Sequence, residues 1–439
     1  MILRFDTPYH WRDWESAADL IKCGEKAREG VVSVMMANLM LAALVLTPVE
    51  KELQAKLPDV FARSAAQYRL LLKTMSGTGK DMSPKRYQDG KVVLIGPRDW
   101  CSGFFPGSLW YLYEQTGEDF WKSAAADYTE RIIEPLWSYH GDHDIGFRAY
   151  CAAGNAYRLT QEDRYAEFLH AAAGQLRLRF DDSMGLIRSW DGPKPRMQDG
   201  RETPDGFFDP RFIVIIDNMM NLELLEWDAK NGGDARSDRI ARSQADSTDR
   251  HHFRSDGSAY HILSYTPGHP DRVFGAYAGQ GASVEGTWAR GHSWAIYGFT
   301  MMYRETKDAR YLERARKSAA YWMHEPRLPP DGVPYWDFSA IGEERDASAA
   351  AVTSSALIEL SQLVDDQALS SELRAFAAKT LLALVSPAYF SAPGANGGFL
   401  LMHSVGVKPY GSEVDVPMNY ADYYFLEALL RFKRMSAGQ

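Results

Sequence analysis

"YRETKDARY", residues 303–311, reads as the end of one helix, a short polar turn and the start of another, with an aromatic residue on each side of the turn. The same reading fits "YEQTGEDFW" (113–121), "YRLTQEDRY" (157–165) and "WDAKNGGDARSDR" (227–239). Their leading aromatics stand 44, 70 and 76 residues apart, so the repeat is irregular and carries insertions. Its physical unit is a helical hairpin. Flanking stretches such as "YLERARKSAAYWM" (311–323) and "SSALIELSQLV" (354–364) keep helical periodicity, whereas strand-like alternation is scarce and short. A mostly helical protein of roughly six hairpins is expected, either an open solenoid or a ring closed into a toroid. A closed ring gathers its inter-helix loops at one end, where residues distant in sequence face a common cavity.

The unusual loops are rich in Gly, Pro, Asp and Trp: "RDWCSGFFPGSLW" (98–110), "GDHDIGF" (141–147), "IRSWDGPKPRMQDG" (187–200), "GQGASVEGTWARGHSW" (279–294), "PYWDF" (334–338) and "HSVGVKPYGSEVDVP" (403–417). Gly and Pro permit the sharp turns. One pocket fed by many loops is the economical expectation, with residues 49–439 as a single domain. Residues 1–48 are an N-terminal extension or a first helix. Within them "VVSVMMANLMLAALVLT" (31–47) follows Lys26 and Arg28, as a targeting signal would, but Asn38 interrupts it and no small-residue cleavage site follows. A buried helix and a secretion signal both remain open, and the compartment, bacterial cytoplasm or periplasm, with them.

Composition narrows the ligand. A net charge of -9 without a basic run excludes a nucleic-acid binder, which needs cations to displace the counterions of phosphates. An anionic ligand must then be met by one or two buried Arg or Lys, which points to a small acidic substrate in a pocket. The 12 Trp, 23 Tyr and 20 Phe, many beside Gly, Asp or Arg, supply the flat faces on which sugars stack, although large cores use the same residues. The three cysteines, Cys23, Cys101 and Cys151, have no metal-ligand spacing and read as small buried hydrophobes. No metal, no cofactor and no stable membrane association are expected, and the chain is a monomer or a homodimer.

Two carboxylates stand out. Asp217, in "FIVIIDNMMNLELLEW" (212–227), follows four consecutive aliphatic residues. It either caps the helix that follows or is a carboxylic acid whose pKa its apolar neighbours raise, as a general acid requires. Asp144 belongs to an Asp142–His143–Asp144 triplet that no further cluster of ligand spacing supports as a metal site. It is a solvated turn or a like-charged partner that raises the proton affinity of Asp217 across one cavity. In "WARGHSW", Arg290, Trp294 and Tyr297 share a helical face, so a guanidinium lies beside an aromatic plane, for packing or for holding a uronic acid. Gln280 offers an amide contact, and His261 is a polar contact or a satisfied core histidine.

Together "RDWCSGFFPGSLWYLYE", "HDIGF", "IIDNMMNLELL", "DGSAYHILSY", "GTWARGHSWAIYGFT", "GVPYWDF", "RDASAAAVTSSAL" and "GSEVDVPMNYADYYFLEAL" resemble the unsaturated glucuronyl hydrolases, glycoside hydrolase family 88, in the family's order from about residue 85 to residue 430. The resemblance implies an all-α (α/α)6 barrel without cofactor. It implies a substrate with a 4,5-unsaturated uronic acid at its non-reducing end, the product of polysaccharide lyases. It makes Asp217 the general acid and base and Asp144 the supporting carboxylate. His143, His261, Gln280, Arg290 and Trp294 match the family's substrate-binding positions, and Trp100 and Trp190 its aromatic platform. Members that prefer sulfated substrates carry Ser-x-x-Ser-x-Lys; here Lys408 is kept while His403 and Gly406 replace the serines, so a strong sulfate preference is not implied. An unsaturated rhamnogalacturonyl hydrolase, an inverting glycosidase of the same fold and a non-catalytic helical scaffold are the rival readings.

Overall fold

Three of the four hairpin turns read from the sequence share one construction. Helix α2 (Phe104–Thr116) turns into α3 (Asp119–Leu136), α5 (Asn155–Thr160) into α6 (Asp163–Arg177), and α9 (Ala289–Thr306) into α10 (Ala309–His324). In all three the first helix ends on a threonine whose hydroxyl donates to the carbonyl four residues back, at 2.8, 2.8 and 2.6 Å. The same oxygen accepts the N–H two residues on, from Glu118, Glu162 and Asp308. Between them Gly117, Gln161 and Lys307 take the left-handed conformation that ends a helix, with φ of 69°, 58° and 57°. The acidic residue then begins the return helix at its positive end. The fourth turn, between α7 (Asn218–Lys230) and α8 (Arg236–His251), is longer and glycine-bearing.

The structure is a computed structural model and describes residues 46–79, 81–191 and 211–438. The remaining elements are α1 (Pro48–Met75), α4 (Ile145–Ala149), α11 (Ala347–Leu363), α12 (Gln367–Leu384) and α13 (Asn419–Ser436). A π-helical turn (Tyr150–Gly154) joins α4 to α5 in one rod, so the described helices make twelve rods. The inner ones, α2, α4 with α5, α7, α9, α11 and α13, are buried nearly all round over their first turns; every residue of α9 from Ala289 to Met302 is buried. The outer ones bury a stripe, as in α10, where Tyr311, Ala315, Ser318, Ala319 and Trp322 face inward. Five hairpins follow in chain order, and α13 pairs with α1 as the sixth. This is the closed (α/α)6 barrel that the resemblance implied, and the open solenoid is excluded.

Closure is polar. Thr47 and Glu50 form a capping box at the start of α1, with Pro48 in its first turn. The other oxygen of Glu50 accepts from Arg374 of α12 at 2.9 Å. Gln67 donates to Ser391 at 2.9 Å and accepts from the N–H of Gly394 at 2.7 Å. Tyr68 donates to Asp422 of α13, whose oxygens also take the N–H groups of Leu400 and Leu401 at 2.9 and 3.0 Å. Thus α1 begins one residue before the boundary expected at residue 49, and residues 31–45 of the apolar N-terminal stretch lie outside the described residues. None of the described helices is long and apolar enough to cross a membrane.

The apolar run before Asp217 is not helical. It is the strand β5 (Phe212–Ile215), which pairs antiparallel with β6 (Ile262–Tyr265) and through it with β7 (Val273–Tyr277), after the short ladders β1 (Ser83–Gln88) with β2 (Lys91–Ile95) and β3 (Phe180–Asp181) with β4 (Leu186–Ile187). Its side chains alternate between two clusters: Phe212 and Val214 pack on Met184 and Leu186, while Ile213 and Ile215 pack on Trp190 and Tyr277. All four are buried, so the strand reads as a continuous apolar run rather than an alternation.

Candidate active site

The short turns gather at one end of the barrel and the long outer-to-inner links at the other, and every site residue expected from the sequence lies on or beside a long link. The short-turn end also holds a cavity, of about 290 Å³, lined by Tyr150, Glu223, Arg304, Glu427 and Arg431 among others. Its cations are already matched: Arg304 pairs with Glu223, Glu305 and Glu359, and Arg431 with Glu359 and Glu427. The residues expected from the sequence converge at the long-link end.

Antiparallel pairing of β5 and β6 sets Ile215 opposite Ile262, and the N–H of Ile216 extends the ladder to the His261 carbonyl at 3.0 Å. Asp217 and His261 therefore leave the ladder together, and His261 Nε2 stands 3.6 Å from Asp217 Oδ2. Both side chains are nearly enclosed, each residue 7 % exposed. The N–H of Gln280 stands 3.0 Å from His261 Nδ1, which leaves Nε2 as the edge turned toward the acid. The Ala278 carbonyl, 3.1 Å from the same nitrogen, can take over that contact when the ring is protonated.

Asp217 occupies the N-cap position of α7 and Asp144 that of α4, yet neither side chain makes a cap hydrogen bond. Asp346, at the same position of α11, does what a capping aspartate does and accepts from the N–H groups of Ser348 and Ala349. The helix-cap explanation of Asp217 fails on this contrast. Asn221 joins the two aspartate turns: its amide donates to the Asp217 carbonyl at 3.3 Å and its oxygen accepts the N–H of Phe147 at 3.0 Å. Gly146 allows the approach, because a Cβ there would lie 2.7 Å from Asn221 Cα. Gly146→Ala is expected to wedge the turns apart, lowering kcat about 10- to 100-fold and stability by about 1–3 kcal/mol, measurable by steady-state rates and thermal unfolding.

Side chains from distant links close a circuit around this pair. His261 stacks on Trp288 with centroids 4.3 Å apart, and the Arg290 guanidinium lies 4.6 Å from the Trp288 ring and 5.1 Å from Tyr420. Tyr420 meets Trp100 at 5.1 Å, Trp100 meets Phe147 at 5.6 Å, and Phe147 returns through Asn221 to Asp217. His143, fully buried, has Nε2 3.4 Å from Asp144 and its ring edge-on to Trp190 at 6.2 Å. The N–H of His143 donates to the Ser189 carbonyl, and Asp142 bridges to Trp190, which places Trp190 at the site. The structure thus brings together Asp217, Asp144, His143, His261, Gln280, Trp100 and Trp190.

Three of the expected residues are engaged within the protein. Trp294 has no exposed surface; it packs between Phe147 and Tyr424, each 5.3 Å away, as the floor beneath the site. An inner helix is covered on every side, and Trp288 also lies beside the Arg290 guanidinium. Arg290 is also fully buried and its terminal nitrogens are engaged: Nη1 with Asp346 at 3.3 Å and with the Val405 carbonyl, Nη2 with the Gly406 carbonyl at 2.8 Å. Its fork holds the loop at Val405 and Gly406. Lys408 has its ammonium 2.7 Å from Glu343 and in contact with Glu344.

Other residues went unread. Asp337, fully buried, accepts from Ala282, Thr287 and Ser339 and so shapes the 279–288 loop that carries Gln280 and Trp288. Its signal was a carboxylate beside aromatic residues in "PYWDF". Cys101 and Cys151 are free and buried, which pushes both thiols well above the ordinary range.

No family model matches the chain. It is 40% identical over 348 residues to the unsaturated glucuronyl hydrolase of Formosa agariphila, which spans 77% of this chain and 81% of that one. It is 33% identical over 355 residues to that of Bacillus sp. strain GL1, covering 79% and 90%. The crystal structure of an unsaturated glucuronyl hydrolase specific for heparin superposes with a TM-score of 0.78 at 39% identity, covering 86% of this chain and 98% of that one. The chain belongs to the unsaturated glucuronyl hydrolases.

Proposed function

We propose that this chain removes a 4,5-unsaturated uronic acid from the non-reducing end of short oligosaccharides, with Asp217 as the acid and base and Asp144 as its supporting carboxylate. The observation that carries the reading is the buried Asp217 at a helix start it does not cap, facing Nε2 of His261 inside a ring of aromatic side chains. Asp217 protonates C4 of the enol ether, and positive charge develops at C5 and the ring oxygen. Water adds at C5 and returns its proton to the same carboxylate. The hemiketal then opens, C5 becomes a ketone, and the hemiacetal left at C1 expels the remaining saccharide. One group cycling between acid and base accounts for both proton transfers. Incubation with unsaturated disaccharides from several lyase digests, followed by ultraviolet absorbance, tests this: bleaching of the conjugated double bond is expected, and its absence on all of them overturns the reading.

The sugar beyond the scissile bond is best served unsulfated. Relatives include unsaturated chondroitin disaccharide hydrolases and a heparin-specific enzyme, so the family spans several substrates. In this chain the loop held by Gln280 and Arg290 at Gly406 leads to Lys408, which faces Glu343 and Glu344, and His403 faces Asp415 at 2.6 Å. A sulfate brought there meets more negative than positive charge. An unsulfated disaccharide should turn over about tenfold faster than its sulfated counterpart, a difference of about 1.4 kcal/mol. Glu343→Gln with Glu344→Gln should narrow that ratio by releasing Lys408, and parallel kcat/KM measurements check it.

A further inference from the structure

Asp142 and Arg148 take no part in the proton transfers above, yet they are bound firmly into the site. Arg148 is 1 % exposed. Its two terminal nitrogens reach the two oxygens of Asp142 at 2.8 and 2.7 Å, a bidentate pair, and its Nε donates to the Asp99 carbonyl at 3.2 Å. Tyr139 donates to the same carboxylate at 3.3 Å and lies under the guanidinium at 5.1 Å. The remaining capacity of Asp142 Oδ1 goes to the N–H of Asp144 at 2.9 Å. Asp142 also bridges by its backbone to Trp190, and Asp99 immediately precedes Trp100.

We propose that Arg148 is a positioning residue for the reaction: with Asp142 it locks the turn that carries Asp144 to the segments that carry Trp100 and Trp190, and so sets that carboxylate against Asp217. The inference rests on the proposed function, because it assigns Arg148 a part in a reaction that Asp144 and Asp217 perform. Burial alone would raise the pKa of Asp142, but the hydrogen bonds and charge of Arg148 hold it at about 2, so the clamp stays charged and closed throughout the neutral range.

Two variants test it. Arg148→Lys keeps a cation beside Asp142 but cannot make the two parallel bonds and the Asp99 contact together. Asp142→Asn with Arg148→Gln replaces the charged pair by a neutral one of similar size. In each, turnover of an unsaturated disaccharide should fall about 10- to 100-fold in kcat with KM within about threefold, because the error lies in alignment of the reacting groups. Folded variants that keep kcat within twofold, or that lose KM alone, would overturn the proposal, as would failure of both variants to fold, which would make the pair part of the scaffold only. Bleaching by the unaltered protein separates the two levels: without it the reaction assignment falls and takes this inference with it; with it, undiminished variants remove the inference alone.

Discussion

Asp217→Asn should give a folded protein whose turnover of an unsaturated disaccharide is lower by about 10³- to 10⁴-fold, the upper range for removing a positioned acid and base. Asn keeps the shape and polarity of the side chain but can neither deliver nor take back the proton. Folding should survive because the carboxylate makes no cap hydrogen bond to α7, and the strand and helix around it are held by backbone pairing to β6 and by Asn218, whose amide donates to the Ile187 carbonyl at 2.9 Å. Thermal unfolding of the variant should lie within a few degrees of the parent. Activity within tenfold of the parent would remove Asp217 from the centre of the reaction.

Arg290→Met is expected to fail in the opposite way, through stability first. Arg290 and Asp346 are both without exposed surface, and the guanidinium is the cation in contact with that carboxylate. Losing one partner of a buried pair leaves an uncompensated charge and costs about 3–5 kcal/mol. The carbonyls of Val405 and Gly406 lose their donors as well, so the 403–408 loop loosens and the Gln280 contact with Gly406 goes with it. Denaturant unfolding should show the loss directly. Adding Asp346→Asn to Arg290→Met should recover part of the stability and none of the activity. An unchanged unfolding midpoint in the single variant would contradict the pair.

These outcomes separate what was legible in the chain from what was not. The hairpin turns could be read because each is local: a threonine, a left-handed residue and an acidic helix start lie within four positions. Asp217 was legible because a carboxylate after an aliphatic run conflicts with burial unless it has a task. The strand that carries it was not, since its partner β6 begins 47 residues after Ile215 and no local signal announces the pairing. Helical spacing put Trp294 beside Arg290 correctly, but spacing does not say which face of a helix looks into a cavity when neighbours cover all of them. Lys408 and Arg290 looked available because their partners, Glu343, Glu344 and Asp346, sit more than fifty residues away. The partner of Asp142 was hidden as well: the Arg148 guanidinium lies across a helical turn whose register only the fold supplies.

The circuit around Asp217 has a consequence for how the enzyme comes into being. Trp100 leans on Tyr420, and the belt of helices is buckled by Glu50 with Arg374 and by Tyr68 with Asp422. A nascent chain on the ribosome that has not yet released α13 holds both aspartates but lacks the wall opposite them. The wall opposite the two aspartates is therefore complete only once α13 has joined the ring.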